Sequence, residues 1–236
     1  MALFQLDFTR FITVYIGQGI FFGFYLFIAY NILKREKRQL NYVFSCFYLF
    51  IVLALLINFI YAPIPYPEIQ RILNTLTNFF VFFGLIFLPL FDLLLLKEEK
   101  LKTKYIILII IIYALLLSTI MFTNPLSVRI GPSTNWRPVW SMTYFMHLII
   151  LKSLMIVIPT FTLQILLYRK FQIKELKKRW LYFNIGIAGI FSFSYGIMIA
   201  NFLNDPLFRI IISIYSLSIL AWGYLTYYGV GKQIGK

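Results

Sequence analysis

The sequence predicts an all-α integral membrane protein: a bundle of seven transmembrane helices, with the N-terminus outside and the C-terminus in the cytoplasm. Three observations lead there. The 236-residue chain is 61% hydrophobic and only 13% charged, with a mean hydropathy of +0.84; a soluble domain carries about 25% charged residues. Its apolar residues gather into seven runs, each near the roughly 20 residues that a helix needs to cross a bilayer. Its lysines and arginines gather between alternate runs.

The runs are 11–33, 41–61, 72–96, 105–123, 142–168, 180–203 and 207–229, and they make one membrane domain spanning 1–236. Stretches such as Ile106–Ile112 do not alternate polar and apolar residues, which favours helices over barrel strands. The first run follows Met1–Arg10, which lacks the basic start and small-residue cleavage site of a signal peptide, so it is expected to remain as a span. The second follows the basic KREKRQL (34–40). The third follows the Pro-rich APIPYPEIQR (62–71) and carries Pro89 and Asp92. The fourth, YIILIIIIYALLLSTIMFT, is almost free of polar side chains until Ser118 and is expected at the periphery, facing lipid all round. The fifth follows the long 124–141 loop and holds His147 and Lys152. The sixth follows RKFQIKELKKR (169–179), and the turn NDP (204–206) separates it from the seventh.

Charge sets the orientation. The segments 34–40, 97–104 and 169–179 and the C-terminal tail together hold 16 Lys and Arg; the opposite side holds Arg10, Arg71, Arg129, Arg137 and Arg209. The richer side is cytoplasmic by the positive-inside rule. A formal net charge of +14 then needs no nucleic-acid partner, because the basic loops meet anionic lipid headgroups. The segment 169–179 is also a candidate dock for a cytoplasmic signalling protein. The expected location is the cell membrane, multi-pass.

The single cysteine, Cys46, excludes an internal disulfide, and one histidine excludes a histidine-cluster metal site. No cofactor, metal ligand or catalytic residue is expected. Acid–base chemistry needs paired groups, whereas Asp92, His147 and Lys152 are scattered in depth and face, so the chain is not expected to be an enzyme.

Polar side chains inside spans are costly unless they face protein or water. Gln18, Asn58, Asn74, Asn78, His147, Asn201 and Ser213 fall in the outer half of their spans, and Lys152, Tyr195, Tyr215 and Ser216 lie deeper. An outward-opening polar cavity would produce this bias, and so would ordinary interhelical hydrogen bonds. The candidate ligand-binding residues are Lys152, His147, Asn74, Asn78, Asn201, Tyr195, Gln18 and Tyr215. Lys152 lacks an acid at its own depth: counting rise along the helices places Asp92 about 7 Å, and Lys152 about 25 Å, from the cytoplasmic end. Its side chain either snorkels outward or forms the charged floor of an outer cavity.

The order of features resembles the seven-helix N-terminal sensor region of membrane-bound histidine kinases. The resembling elements are Pro89-Leu90-Phe91 late in the third span and the Thr123-Asn124-Pro125-Leu126 corner after the fourth. Tyr144-Phe145-Met146-His147 opens the fifth span, the basic loop Arg169–Arg179 follows it, and Gly223–Lys232 makes an aromatic, basic exit from the seventh. The resemblance covers almost the whole chain and implies a sensor that binds a small ligand from outside. The sequence shows no ATP-binding motif and no phospho-acceptor histidine on a soluble helix, so signalling is expected to pass to a cytoplasmic partner. The alternative is a small-solute transporter of 3+1+3 helix design, in which KREKRQLNY (34–42) echoes KELKKRWLY (174–182).

Overall fold

A computed structural model describes residues 8–35, 38–97, 101–122 and 127–231. The corner at 123–126 and the lysines at 232 and 236 lie outside the described residues. Seven helical rods follow one another within them. They are α1 (Ile12–Leu33, led in by the turn Phe8–Phe11), α2 (Gln39–Tyr61), α3 (Pro67–Leu96), α4 (Thr103–Phe122), α5 (Met142–Lys170), α6 (Lys174–Leu203) and α7 (Pro206–Val230). Six of them, all but α4, are long and apolar enough to cross a membrane.

Several boundaries differ from those expected, each for a local reason. α3 starts at Pro67 because proline suits the first helical position, where a missing N–H costs nothing. α6 starts at Lys174, well before the apolar run, because KELKKR contains no helix breaker and Arg179 pairs with Glu175 one turn back at 2.9 Å. The turn between α6 and α7 is built from its three residues: Asn204 is left-handed (φ 54°), the Asp205 carboxylate accepts the Phe208 N–H at 2.7 Å, and Pro206 opens α7. The segment between α4 and α5 holds a short antiparallel hairpin, β1 (Val128–Arg129) and β2 (Val139–Trp140), with Val128 opposite Trp140. The Ser141 N–H closes it on the Ser127 carbonyl at 2.8 Å.

Each rod packs on its chain neighbours and α7 returns to α1, so the bundle closes as a ring; α3 also reaches across to α5. The centre is aromatic. Phe44 of α2 stacks on Phe91 of α3 at 4.6 Å between ring centroids, and Phe183 of α6 packs on both. Trp180 stacks on Phe183 at 4.7 Å. Between helices in lipid, close packing of this kind replaces the hydrophobic driving force. α4 is peripheral but not uniformly exposed: Ile106, Tyr113, Leu117 and Met121 form one buried stripe, while Ile107, Leu108, Ile111 and Leu115 face outward.

Pro89 shapes α3 and, through it, α4. Its ring would clash with the Leu85 carbonyl in a regular helix. The preceding turn tightens, and the Ile86 N–H reaches the Phe83 carbonyl at 3.3 Å instead of that of Phe82. The freed Phe82 carbonyl accepts the Tyr113 hydroxyl of α4 at 3.1 Å. α7 is interrupted at Leu217–Ser218 by a comparable tight turn, in which the Leu217 and Ser218 N–H groups reach the carbonyls of Ile214 and Tyr215. Ser216 donates to the Ser213 carbonyl and Ser218 to the Tyr215 carbonyl, both at 2.6 Å, drawing acceptors out of the helical ladder.

α6 and α7 approach closely because glycine lines their contact. A Cβ added at Gly229 would lie 2.6 Å from the Phe183 nitrogen and 2.7 Å from the Arg179 oxygen, both backbone atoms that cannot turn aside. Gly229→Ala is therefore expected to force the two helices apart and destabilise the protein by about 1–3 kcal/mol, read as a lower Tm in detergent. Tyr113→Phe strips the Phe82 carbonyl of its partner and should cost about 1–2 kcal/mol by the same measurement. An unchanged Tm in either variant would contradict the packing described.

Candidate functional site

Lys152 is 1% exposed and lies between α5 and α6, far from either end of its helix. It does not snorkel. Its Nζ donates to Ser194 Oγ at 2.8 Å and sits 3.6 Å from the centre of the Tyr195 ring, with Met198 Sδ at 4.0 Å and the Phe191 ring at 5.9 Å. Phe191, Ser194, Tyr195 and Met198 follow the i, i+3, i+4, i+7 spacing of a single helix face. That face supplies a hydroxyl, a π face and a soft sulfur, but no carboxylate.

The helix is irregular at this point. Immediately after Lys152, the stretch Ser153–Val157 is a π turn, closed by the Ile158 N–H on the Ser153 carbonyl. Pro159 supplies the reason. Having no N–H and a ring that would strike the carbonyl four residues back, it cannot follow a regular α turn, and one extra residue in the preceding turn relieves the clash. The bulge lets two consecutive side chains reach α6: Lys152 meets Ser194, and the Ser153 hydroxyl meets the Tyr195 hydroxyl at 2.6 Å. The Tyr195 ring thus carries the Lys152 amine on its face while its hydroxyl is tied to the next residue of α5.

The other residues expected at the site fall into separate places. Asn74 donates to the Tyr61 hydroxyl at 2.9 Å and accepts from Asn78 at 3.1 Å, a small network near the start of α3. Gln18 accepts from Asn58 between α1 and α2. His147 is exposed, its Nδ1 2.9 Å from the Thr143 carbonyl of its own helix. Asn201 is buried late in α6, and half-buried Tyr215 touches Phe193. Of the eight residues expected, only Lys152 and Tyr195 share one site, and Asn74 and Asn78 share another. Ser153, Ser194, Phe191 and Met198 were not expected there; the helical spacing of the last three with Tyr195 was the available signal.

The chain matches no family model, no curated protein and no solved structure.

Asp92 is separate from Lys152. It is fully buried, with the side-chain amide of Gln164 of α5 as its polar neighbour. The Thr160 hydroxyl, one turn before Gln164, is buried without a hydrogen bond. The Gln164 carbonyl accepts the Trp180 indole N–H at 2.9 Å, which joins this inner polar group to α6. Among the described residues, no group of three or more His, Cys, Asp or Glu is placed to hold a metal ion.

The Lys152 arrangement makes a stability argument of known sign. Replacing a buried charge by an apolar side chain of similar shape is often neutral or stabilising, so Lys152→Met should unfold at an equal or higher temperature than the parent chain. Ser194→Ala leaves the Lys152 amine without its one hydroxyl acceptor and should lower stability by about 1–3 kcal/mol. Thermal unfolding of both variants in the same detergent checks the pair. A large loss in Lys152→Met would assign the lysine an ordinary structural role.

Proposed function

We propose that the protein is a seven-span membrane sensor. It binds a small ligand from the outer side and reports to a cytoplasmic partner through a shift of α5 against α6. The single observation that carries this is the buried Lys152 on a π turn, held across the α5–α6 contact by Ser194 and Tyr195 without an acid. A lysine buried there costs stability, and intramembrane ionisable side chains mark functional sites by default. π turns recur at functional sites. The helix on which α5 leans is firmly seated, since α6 and α7 meet backbone to backbone at Gly186 and Gly229.

Seven spans follow if α4 also crosses. Its 20 residues measure about 30 Å, the thickness of a hydrocarbon core. The contacts Arg35 to Tyr227, Gln39 to Thr103 and Lys170 to the Leu96 carbonyl gather the basic segments at one end of the bundle. The positive-inside rule assigns that end to the cytoplasm. The resemblance to kinase sensor regions supports the same reading. A transporter built from two repeats would place α3 and α7 in equivalent surroundings; instead 61% of the apolar window of α3 is buried, against 11% of that of α7.

The test is a distance measurement. Spin labels at Tyr168 and Lys177, near the basic ends of α5 and α6, should change separation when a stabilising metabolite from a thermal-shift screen is added. Lys152→Met should abolish the change. Solute uptake into proteoliposomes above empty vesicles, with no change in the spin-label distance, would replace the sensor with the transporter.

A further inference from the structure

The outer end of the bundle carries a second, differently built feature. A cavity of about 260 Å³ lies between the first turns of α3 and the hairpin that precedes α5, lined by Pro67, Glu68, Arg71, Arg129, Ser133 and Thr134 with apolar backing from Val128 and Ile130. Two arginines and one glutamate therefore border one open pocket, with Glu68 and Arg129 exposed and Arg71 half-buried. Neither arginine side chain nor Glu68 forms an ion pair or hydrogen bond with another described residue. Glu68 and Arg71 lie three apart on one face of α3, close enough to pair with each other, yet they do not.

We propose that this cavity binds a small zwitterion of the α-amino acid class. Arg71 and Arg129 take the carboxylate, Glu68 takes the ammonium, and the proposal rests on the sensor reading by naming its ligand site. Guanidinium forks match a carboxylate in two parallel hydrogen bonds. The positive end of α3, a helix of 30 residues, adds to the attraction for that group. Glu68 turns an anion site into one that asks for an adjacent cation. The volume is below that of pockets for drug-sized ligands, about 300–1,000 Å³, which selects a compact solute.

A phospholipid headgroup carries the same pair of charges, but the position argues for a free solute. Ser133 and Thr134 of the hairpin turn line the pocket opposite α3, and a Cβ added at Gly131 would stand 3.6 Å from Pro67, so the turn sits close to the first residue of α3. The site thus begins at the first residue of α3 and extends away from the apolar body of the helix. The hairpin is also bonded to the start of α5: the Ser141 N–H holds the Ser127 carbonyl, and the Ser141 hydroxyl caps the Tyr144 N–H at 3.3 Å. A ligand that draws Arg129 towards Arg71 pulls on the helix that carries Lys152.

The experiment is a thermal-shift and calorimetric panel on the full chain in detergent, using the twenty standard amino acids, the des-amino carboxylate and decarboxylated amine of any that act, and dihexanoyl phosphatidylethanolamine. At least one amino acid should raise the Tm, and neither of its analogues should match it. Arg71→Gln and Arg129→Gln should each weaken binding roughly tenfold or more, and Glu68→Gln should weaken the amino acid while sparing the carboxylate analogue. Stabilisation by the phosphatidylethanolamine alone, or no response to any amino acid, would overturn the proposal. So would amino-acid binding that survives the double Arg71→Gln/Arg129→Gln exchange. Should that binding persist and still move α5 against α6, the site assignment fails while the sensor reading stands.

Discussion

A chain surrounded by hydrocarbon has no water to satisfy a broken backbone hydrogen bond, and this constraint organises the structure. Each interruption in a helix has to be repaired from inside the protein. Pro89 loosens the Phe82 carbonyl, and Tyr113 crosses from α4 to accept the task of donor. Pro159 cannot follow a regular turn, and the helix takes in one more residue at Ser153–Val157. The serines of α7 donate to carbonyls three residues back, where the regular helix is interrupted. In each case a local defect written in the sequence becomes either a contact between helices or an irregular turn.

The same constraint governs the ionisable side chains. Lys152 and Asp92 both lie in the interior, but each has its own surroundings: a hydroxyl and aromatic faces for the lysine, an amide for the acid. Direct pairing would have offset part of the cost of burying both. Their separation along the bundle leaves Lys152 with a hydroxyl, aromatic faces and a sulfur as its neighbours, beside a π turn.

Much of the architecture was legible because membrane helices announce themselves by length and hydropathy, and because lysine and arginine cluster at one end. The boundaries were less so. The first turns of α6 are as polar as a loop, and only the helical pairing of Glu175 with Arg179 distinguishes them. The hairpin at Val128–Trp140 is too short to show a period-two pattern. At the site, the types of residue were readable but not their company. Lys152 and Tyr195 meet, whereas His147 faces out from the same helix and Asn201 is buried elsewhere on α6. Arg71 and Arg129 looked like isolated outer charges until the hairpin placed both on the lining of one pocket.

The sequence by itself determined the helical class, the apolar spans, the charged end and the residues too polar for their depth. These follow from the cost of placing each side chain or peptide group in hydrocarbon, a property of local composition. Only the tertiary structure decided which polar groups share a neighbour. That depends on the rotation of each helix about its axis, and here the rotation is set by events at single residues: the extra residue before Pro159, the tightened turn before Pro89, and the glycines that let α7 close on α6. A small change of phase carries a side chain from lipid to interior. The partners of Lys152 were therefore visible as a helical face in the sequence, but not as its partners.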